Sequence, residues 1–324
     1  MKDKELLEQV ETTAVTAGAE IAGAETAAIE TAASVAYSIL IPCYNEQGAI
    51  RDTIEAVVAA CEASLPRDSF EVLAIDDGST DASVAVIETV AEKDGRVHLI
   101  RHRKNRGYGA SLKTGLGVAR GAWVAITDAD GTYPNQRMGE LFSLPDADMV
   151  VGARIGEGVV YSKLRAIPKI FLRRYAQWIT GTHIPDINSG FRAFRADVAR
   201  RYLDLYPDGF SFTTTITISM LMEKRDVIYE PISYTPRIGK SKIKPIRDTL
   251  RFVSTIARTG MFFAPLKVLK PFILFFWAAF LVSACYDTFV LADLTDKTTT
   301  ALLLALNTTV LGLLADLIDR RTRR

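Results

Sequence analysis

The chain has 324 residues, enough for one domain of roughly 200–250 residues and an appendage. Its 39 Lys and Arg nearly balance 38 Asp and Glu, for a net charge of +1, so a general basic surface for nucleic acid is not indicated. Three cysteines, Cys43, Cys61 and Cys285, lie far apart without paired or metal-ligand spacing, which speaks against a disulfide framework or zinc site and fits a reducing cytosolic setting.

The opening MKDKELLEQVETTAVTAGAE lacks the uninterrupted apolar core of a signal peptide, so the folded part is not expected to be exported. Residues 1–36 are rich in Ala, Thr and Glu with few large apolar groups, and they are expected to form a mobile arm. From Tyr37 the pattern changes to short β-branched runs alternating with helical stretches: YSILI, Gly48 to Ser64, FEVLAI, Ala82 to Asp94, VHLI, Tyr108 to Ala119, WVAIT. Such repetition predicts an α/β domain over 37–244, a mostly parallel sheet with helices on both faces. Ligands of such sheets sit at the carboxyl ends of the strands, and there the sequence places Asn45 and Glu46, Asp76 and Asp77, and Asp128 and Asp130.

After MVVGAR the chain turns basic, with Arg154, Lys163, Arg165, Lys169, Arg173 and Arg174 interleaved with Ile167, Ile170, Phe171, Tyr175 and Trp178, a pattern suited to a membrane surface. Residues 245–270 are expected to form one amphipathic interface helix, with Arg247, Arg251 and Arg258 opposite Phe252, Val253 and Ile256. Two apolar runs, 271–291 and 299–318, then predict a transmembrane hairpin, closed by a basic tail at 319–324. Lys267 and Lys270 before the first span and the arginines after the second put the catalytic domain and both termini in the cytosol by the positive-inside rule. Asn307 falls roughly opposite Ser283, which predicts an interhelical hydrogen bond, and Asp287 is expected near the outer interface. The hairpins also offer a route to a homo-oligomer.

An Asp-x-Asp pair at a strand end sets two carboxylates on one side of a turn, where they can hold Mg²⁺ or Mn²⁺ while diphosphate oxygens fill the remaining positions. Alone, Asp128-Ala129-Asp130 equally fits a solvated cap. In order along the chain, however, stand IPCYNE, AIDDGSTD, NRGYGASLKTG, ITDADGTYP, VGAR, NSGFRAF and PRIGKSKIKPIRD. Together they resemble the family 2 glycosyltransferases of GT-A fold, and most closely the branch of dolichyl-phosphate mannose synthase and polyprenyl-phosphate glycosyltransferases, over about Tyr37 to Asp248.

That resemblance implies a nucleotide pocket lined by Pro42, Tyr44, Glu46, Ile75 and Asp77, with Asp77 accepting from the base and Glu46 near the ribose or phosphates. It implies Asp128 and Asp130 as the metal and diphosphate residues with the Ala129 backbone beside the donor, Mg²⁺ or Mn²⁺ as cofactor, and Thr132 where many mannose synthases have Gln. Arg237 and Lys242 match a basic loop that closes over the diphosphate, with Lys240 as a rival, and Arg154 matches an arginine at the acceptor phosphate. Arg174 is the expected second acceptor arginine, with headgroup attraction as its alternative. The expected reaction is inverting transfer of a hexose from a GDP-mannose or UDP-glucose/UDP-GlcNAc type of donor to a dolichyl or undecaprenyl phosphate. Alternatives are a hydroxyl acceptor, for which Asp186 is the nearby base, and a non-catalytic nucleotide-binding membrane scaffold. Gly107, Gly109 and Gly115 are expected to permit close packing, and His98, His102 and His183 are given no chemistry.

Overall fold

The computed structural model describes residues 35–144, 146–155, 163–234 and 245–322. The 1–34 part of the expected arm, the expected basic loop with Arg237, Lys240 and Lys242, and the last two arginines lie outside them. In chain order the elements are β1 (Tyr37–Cys43), α1 (Ile50–Ser64), β2 (Phe70–Asp76), α2 (Ser83–Ala91), β3 (Val97–Arg101), α3 (Tyr108–Val118) and β4 (Trp123–Ile126). A 3₁₀ stretch (Asn135–Phe142), β5 (Met149–Ala153), α4 (Lys163–Thr180), β6 (Arg192–Arg195), α5 (Ala196–Arg200), α6 (Phe212–Met222) and β7 (Val227–Pro231) follow, and α7 (Pro245–Phe263), α8 (Pro265–Tyr286) and α9 (Asp296–Thr322) close the chain.

The strands form one sheet in the order β3-β2-β1-β4-β6-β5-β7. β1 pairs in parallel with β2 and β4, β2 with β3, and β5 with β7, whereas β6 runs antiparallel between β4 and β5. Because both faces are covered, successive side chains of one strand enter different cores. Ile39, Ile41, Val72, Ala74 and Ala125 pack under α1 and α2, while Leu40, Leu73, Ile75, Val124 and Ile126 pack under α3, α5 and α6. At about 25 cal/mol per Å² of apolar surface buried, these two layers are the main stabilising contribution. Close packing dictates the small residues expected in α3: a Cβ on Gly115 would lie 2.9 Å from Leu40 Cδ2, and one on Gly109 would overlap the Pro207 carbonyl oxygen.

A third cluster joins α4, α6, α7 and the start of α8 through Leu172, Ala176, Ile179, Ile218, Ile256 and Val268. It ties the sheet to the C-terminal helices. The segment 245–270, expected as one helix, is two. Ala264 (φ −153°, ψ 64°) leaves helical geometry and Pro265 opens α8, because a proline tolerates the first turn of a helix, where its missing N–H has no acceptor anyway. The first apolar helix therefore starts at Pro265 rather than at 271.

Two helical stretches, Pro265–Leu291 and Asp296–Asp319, are long and apolar enough to cross a membrane. Large apolar side chains stand exposed along both, such as Phe275, Val282, Leu311 and Ile318. Asp287 sits at the turn, where its carboxylate accepts from the Thr295 amide at 2.7 Å, the Thr295 hydroxyl at 2.7 Å and the Thr298 hydroxyl at 2.8 Å. Ser283 pairs with Thr298, 2.5 Å away, while Asn307 is exposed, which corrects the expected Ser283–Asn307 pairing. Asp287 thus ties Thr295 and Thr298, at the start of the second apolar helix, back to the first. Trp277 Nε1 donates to Thr309 Oγ1 at 3.1 Å further along.

Candidate active site

The carboxyl ends of β1, β2 and β4 meet at one edge, and the turns that follow them are braced against one another. Asn45, left-handed at φ 55°, donates its amide to Ser79 Oγ at 2.9 Å and accepts the Thr80 amide at 2.8 Å on its side chain. The Glu46 amide donates to Ser83 Oγ at 2.9 Å, and Gln47 Oε1 accepts the Ala82 amide at 2.8 Å. These bonds leave the side chains of Tyr44 and Glu46 half-buried at the rim. Pro42 is buried beside Ile75 in the strand register.

Two expected pocket residues are more deeply committed to the fold than the motif implies. Ile75 is fully buried in the core under α3, so its backbone, not its side chain, faces any ligand at this edge. Asp77, 4% exposed, already accepts the Arg106 amide at 2.9 Å and the Gly107 amide at 2.8 Å. His102 Nδ1 lies 2.8 Å from Asp77 Oδ1, and His102 Nε2 lies 3.0 Å from Thr114 Oγ1. With the carboxylate as acceptor, Nδ1 carries the proton. His102, given no role from sequence, thus holds Asp77 in place. Its spacing gives no hint of this, because the pair forms between neighbouring strand ends.

β4 delivers Asp128, Ala129 and Asp130. Asp128 Oδ1 accepts the Tyr108 hydroxyl at 2.9 Å. Asp130 Oδ1 accepts the Thr132 hydroxyl at 2.7 Å and the Thr132 amide at 3.2 Å, while Ala129 is buried and Gly131 takes a positive φ of 69°. Thr132 therefore orients Asp130. Both carboxylates are half-buried. Burial raises the Tyr108 phenol well above its usual range, and the Asp128 charge beside it adds to this, so the hydroxyl stays a donor.

The paired, oriented oxygens suit a hard divalent cation such as Mg²⁺ or Mn²⁺. No group of three His, Cys, Asp or Glu side chains that could hold a metal occurs among the described residues, and Asp128 and Asp130 are a pair.

Arg154, just after β5, grips Asp186 through Nε to Oδ2 at 2.7 Å and Nη2 to Oδ1 at 3.0 Å. Burial pushes the Asp186 carboxyl up, but the hydrogen bonds and charge of Arg154 outweigh it and hold the group below the ordinary carboxylate range. A carboxylate so held is a poor proton acceptor. Arg154 also lies over the Tyr234 ring, 5.3 Å from its centroid, at the point where the chain leaves for 235–244.

The two halves join at Gly190. A Cβ there would stand 2.8 Å from Asp128 Oδ1 and 3.1 Å from the Tyr108 hydroxyl. Its amide donates to the Tyr133 hydroxyl at 2.7 Å, and Tyr133 stacks on Phe191 at 5.7 Å and meets Tyr234 edge-on at 5.3 Å. A continuous path thus runs from Asp128 through Gly190, Tyr133 and Tyr234 to Arg154. Neither Tyr108 nor Tyr133 was singled out by sequence, although Tyr108 lies inside NRGYGASLKTG.

Arg174 is exposed on α4 and makes no hydrogen bond or ion pair among the described residues. Its neighbour Arg173 turns inward instead, donating Nη1 to the Pro185 carbonyl at 3.1 Å, with a buried Nε that has no hydrogen-bond partner among the described residues. The arginine that α4 presents to the loop before Asp186 is therefore Arg173, because adjacent helix positions point about 100° apart.

Residues 38–203 match the sequence model of glycosyl transferase family 2. A polyprenol monophosphomannose synthase of Mycolicibacterium smegmatis is 29% identical over 218 residues, which cover 63% of this chain and 80% of that protein. A dolichyl-phosphate beta-glucosyltransferase of Dictyostelium discoideum is 25% identical over 243 residues, covering 69% of this chain and 74% of that one. Among solved structures, glucosyl-3-phosphoglycerate synthase from Mycobacterium tuberculosis in complex with Mn²⁺, uridine diphosphate and phosphoglyceric acid aligns with a TM-score of 0.51 at 16% identity, covering 70% of this chain and 79% of that chain. That likeness is one of fold.

Proposed function

The chain belongs to glycosyl transferase family 2, and on that premise we propose that it transfers a hexose from a nucleotide sugar to a polyprenyl phosphate at a membrane surface, with inversion. The observation that carries this reading is the Arg154–Asp186 pair, set across Gly190 from Asp128 with Asp186 held as a weak base. A hydroxyl acceptor needs a base to take its proton; a phosphate monoester is already anionic and needs positioning and a cation. Arginine recognises such a dianion through two parallel donors. The names of the relatives from Mycolicibacterium smegmatis and Dictyostelium discoideum point to the same acceptor class.

In this reading Asp128 and Asp130 hold Mg²⁺ or Mn²⁺ against the donor diphosphate, with Thr132 and Tyr108 fixing the two carboxylates. The bound metal supplies charge neutralisation for the leaving nucleoside diphosphate. Pro42, Tyr44, Glu46, the Ile75 backbone and Asp77 line the nucleotide end, with Arg237 and Lys242, outside the described residues, as the cations for the diphosphate. Arg154 and Arg173 receive the acceptor phosphate. The exposed aromatic ladder of α4, in which Phe171, Tyr175 and Trp178 stack at 6.4 and 6.0 Å, rests on the bilayer surface. The hairpin of α8 and α9 spans the bilayer, with the catalytic domain and both termini on the cytosolic side.

The test is transfer by the purified full-length protein in detergent, with Mg²⁺ or Mn²⁺, a short polyprenyl phosphate and a panel of UDP- and GDP-sugars. One donor should yield a charge-retaining lipid-linked sugar, and Asp130→Asn should abolish it without loss of folded protein. Absence of product with every donor rejects the reading.

A further inference from the structure

Arg192, the first residue of β6, is a fully buried charge that feels the Asp186 carboxylate at a distance but, among the described residues, forms no ion pair. Its Nε donates to the Ser189 carbonyl at 2.9 Å, and Nη2 donates to the Ser189 carbonyl at 2.5 Å and the Ile187 carbonyl at 3.5 Å. Nη1 donates to the Thr213 carbonyl at 3.1 Å and the Thr217 hydroxyl at 2.8 Å, and lies 3.9 Å from Met149 Sδ. Among the described residues no carboxylate lies within ion-pair distance of it. Burying a guanidinium costs several kcal/mol in desolvation, and apolar packing of the same volume is often as stable. The cost calls for a reason beyond stability.

The reason lies in what the clamped loop carries. Asp186, one residue before the clamped Ile187, holds Arg154. Gly190, one residue after Ser189, packs against Asp128 and Tyr108 and donates to Tyr133. Asn188 is held as well, accepting the Thr214 hydroxyl of α6 at 2.6 Å. One guanidinium thus pins, from behind, the short loop whose two ends set the arginine of one half-site and the carboxylate of the other.

We propose that Arg192 is a positioning residue that couples the two half-sites, locking Ile187–Ser189 onto α6 so that Arg154 and Asp128 keep one relative geometry. The proposal rests on the acceptor and donor halves assigned above. A shift of about 1 Å in such a constellation can cost 10²-fold in rate. Because the clamp serves both halves, its loss moves both together.

The test uses full-length Arg192→Lys, which keeps the charge and loses the planar fork, and Thr217→Val, which removes one acceptor and keeps the arginine. Thermal melting reports folding, Mn²⁺ titration in the presence of UDP or GDP reports the donor half without turnover, and kcat and both KM values are measured per folded protein. For Arg192→Lys the expected result is a fall in kcat of about 100-fold, with weaker Mn²⁺–nucleotide binding and a raised acceptor KM together. Thr217→Val should move the same quantities in the same direction by less, and it carries the test if the lysine variant does not fold. A folded variant with wild-type constants, a change in one substrate's constants alone, or activity lost only in proportion to folded protein overturns the coupling. Failure of the wild type to transfer any sugar instead overturns the functional reading and leaves the Mn²⁺–nucleotide titration to judge the clamp on the donor side.

Discussion

The Tyr108 hydroxyl donates to Asp128 Oδ1 across 2.9 Å, so a side chain from the start of α3 orients the first carboxylate of the Asp-Ala-Asp turn. Tyr108→Phe removes that one bond and retains the ring, which stacks on Phe210 at 5.8 Å. A hydrogen bond to a charged group is worth about 1.5–3 kcal/mol. Mn²⁺ binding in the presence of nucleoside diphosphate should weaken roughly 10-fold, with the folded circular dichroism spectrum retained. Electron paramagnetic resonance of free Mn²⁺ during titration reads this directly, and wild-type affinity would show the hydroxyl to be idle.

Gly190→Ala should be far more damaging than an alanine in a loop usually is. The added methyl would meet Asp128 Oδ1 at 2.8 Å and the Tyr108 hydroxyl at 3.1 Å. The carboxylate has to give way, because the Gly190 amide is fixed on Tyr133. Transfer should fall by about 100-fold while circular dichroism stays that of the wild type. Retention of most activity would mean that Asp128 tolerates displacement.

The two adjacent arginines of α4 should behave differently. Arg173→Ala removes the donor to the Pro185 carbonyl and a buried Nε near the acceptor loop, and it should raise the acceptor KM about 10-fold by loss of a charged hydrogen bond. Arg174→Ala, at an exposed position, should leave that KM within about twofold and affect only binding to anionic vesicles. Steady-state kinetics with the acceptor varied separates them; the reverse order of effects restores Arg174 to the site.

The Arg154–Asp186 pair has a signature in acid. With the Asp186 carboxyl held below its ordinary value of 3.8 in the fold, the unfolded chain binds the proton more readily. The pair's contribution is therefore fully present above pH about 4 and is lost as the pH falls through the lower folded value. Asp186→Asn should destabilise the protein by about 3 kcal/mol at neutral pH, since it removes the charge of a largely buried ion pair from one side. It should also flatten the loss of stability below pH 4. Urea melts at several pH values test both points, and an unaltered acid slope would count against the pair.

Residue patterns by themselves determined the alternation of strands and helices, the acidic strand ends and the two long apolar helices, since each follows from local periodicity and from motifs a few residues long. The roles of Gly115 and Gly109 were legible for the same reason: small residues spaced along one helix leave room for a close neighbour. The antiparallel β6 was not, because RAFR is too short to signal its direction.

What only tertiary structure decided was which of those residues are available to a ligand. Ile75 and Asp77 sit in the expected motif, yet one is packed into the core and the other is bound by His102 and two amides. Arg173 rather than Arg174 faces inward, Ser283 pairs with Thr298 rather than Asn307, and Arg192, unremarked within NSGFRAF, is the buried charge behind the site. Sequence determines what a side chain can do chemically and which face of its own element it occupies. Which distant neighbour completes its hydrogen bonds depends on how elements far apart in the chain pack, and at the junction of Asp128, Gly190 and Arg154 that packing makes two motifs into one site.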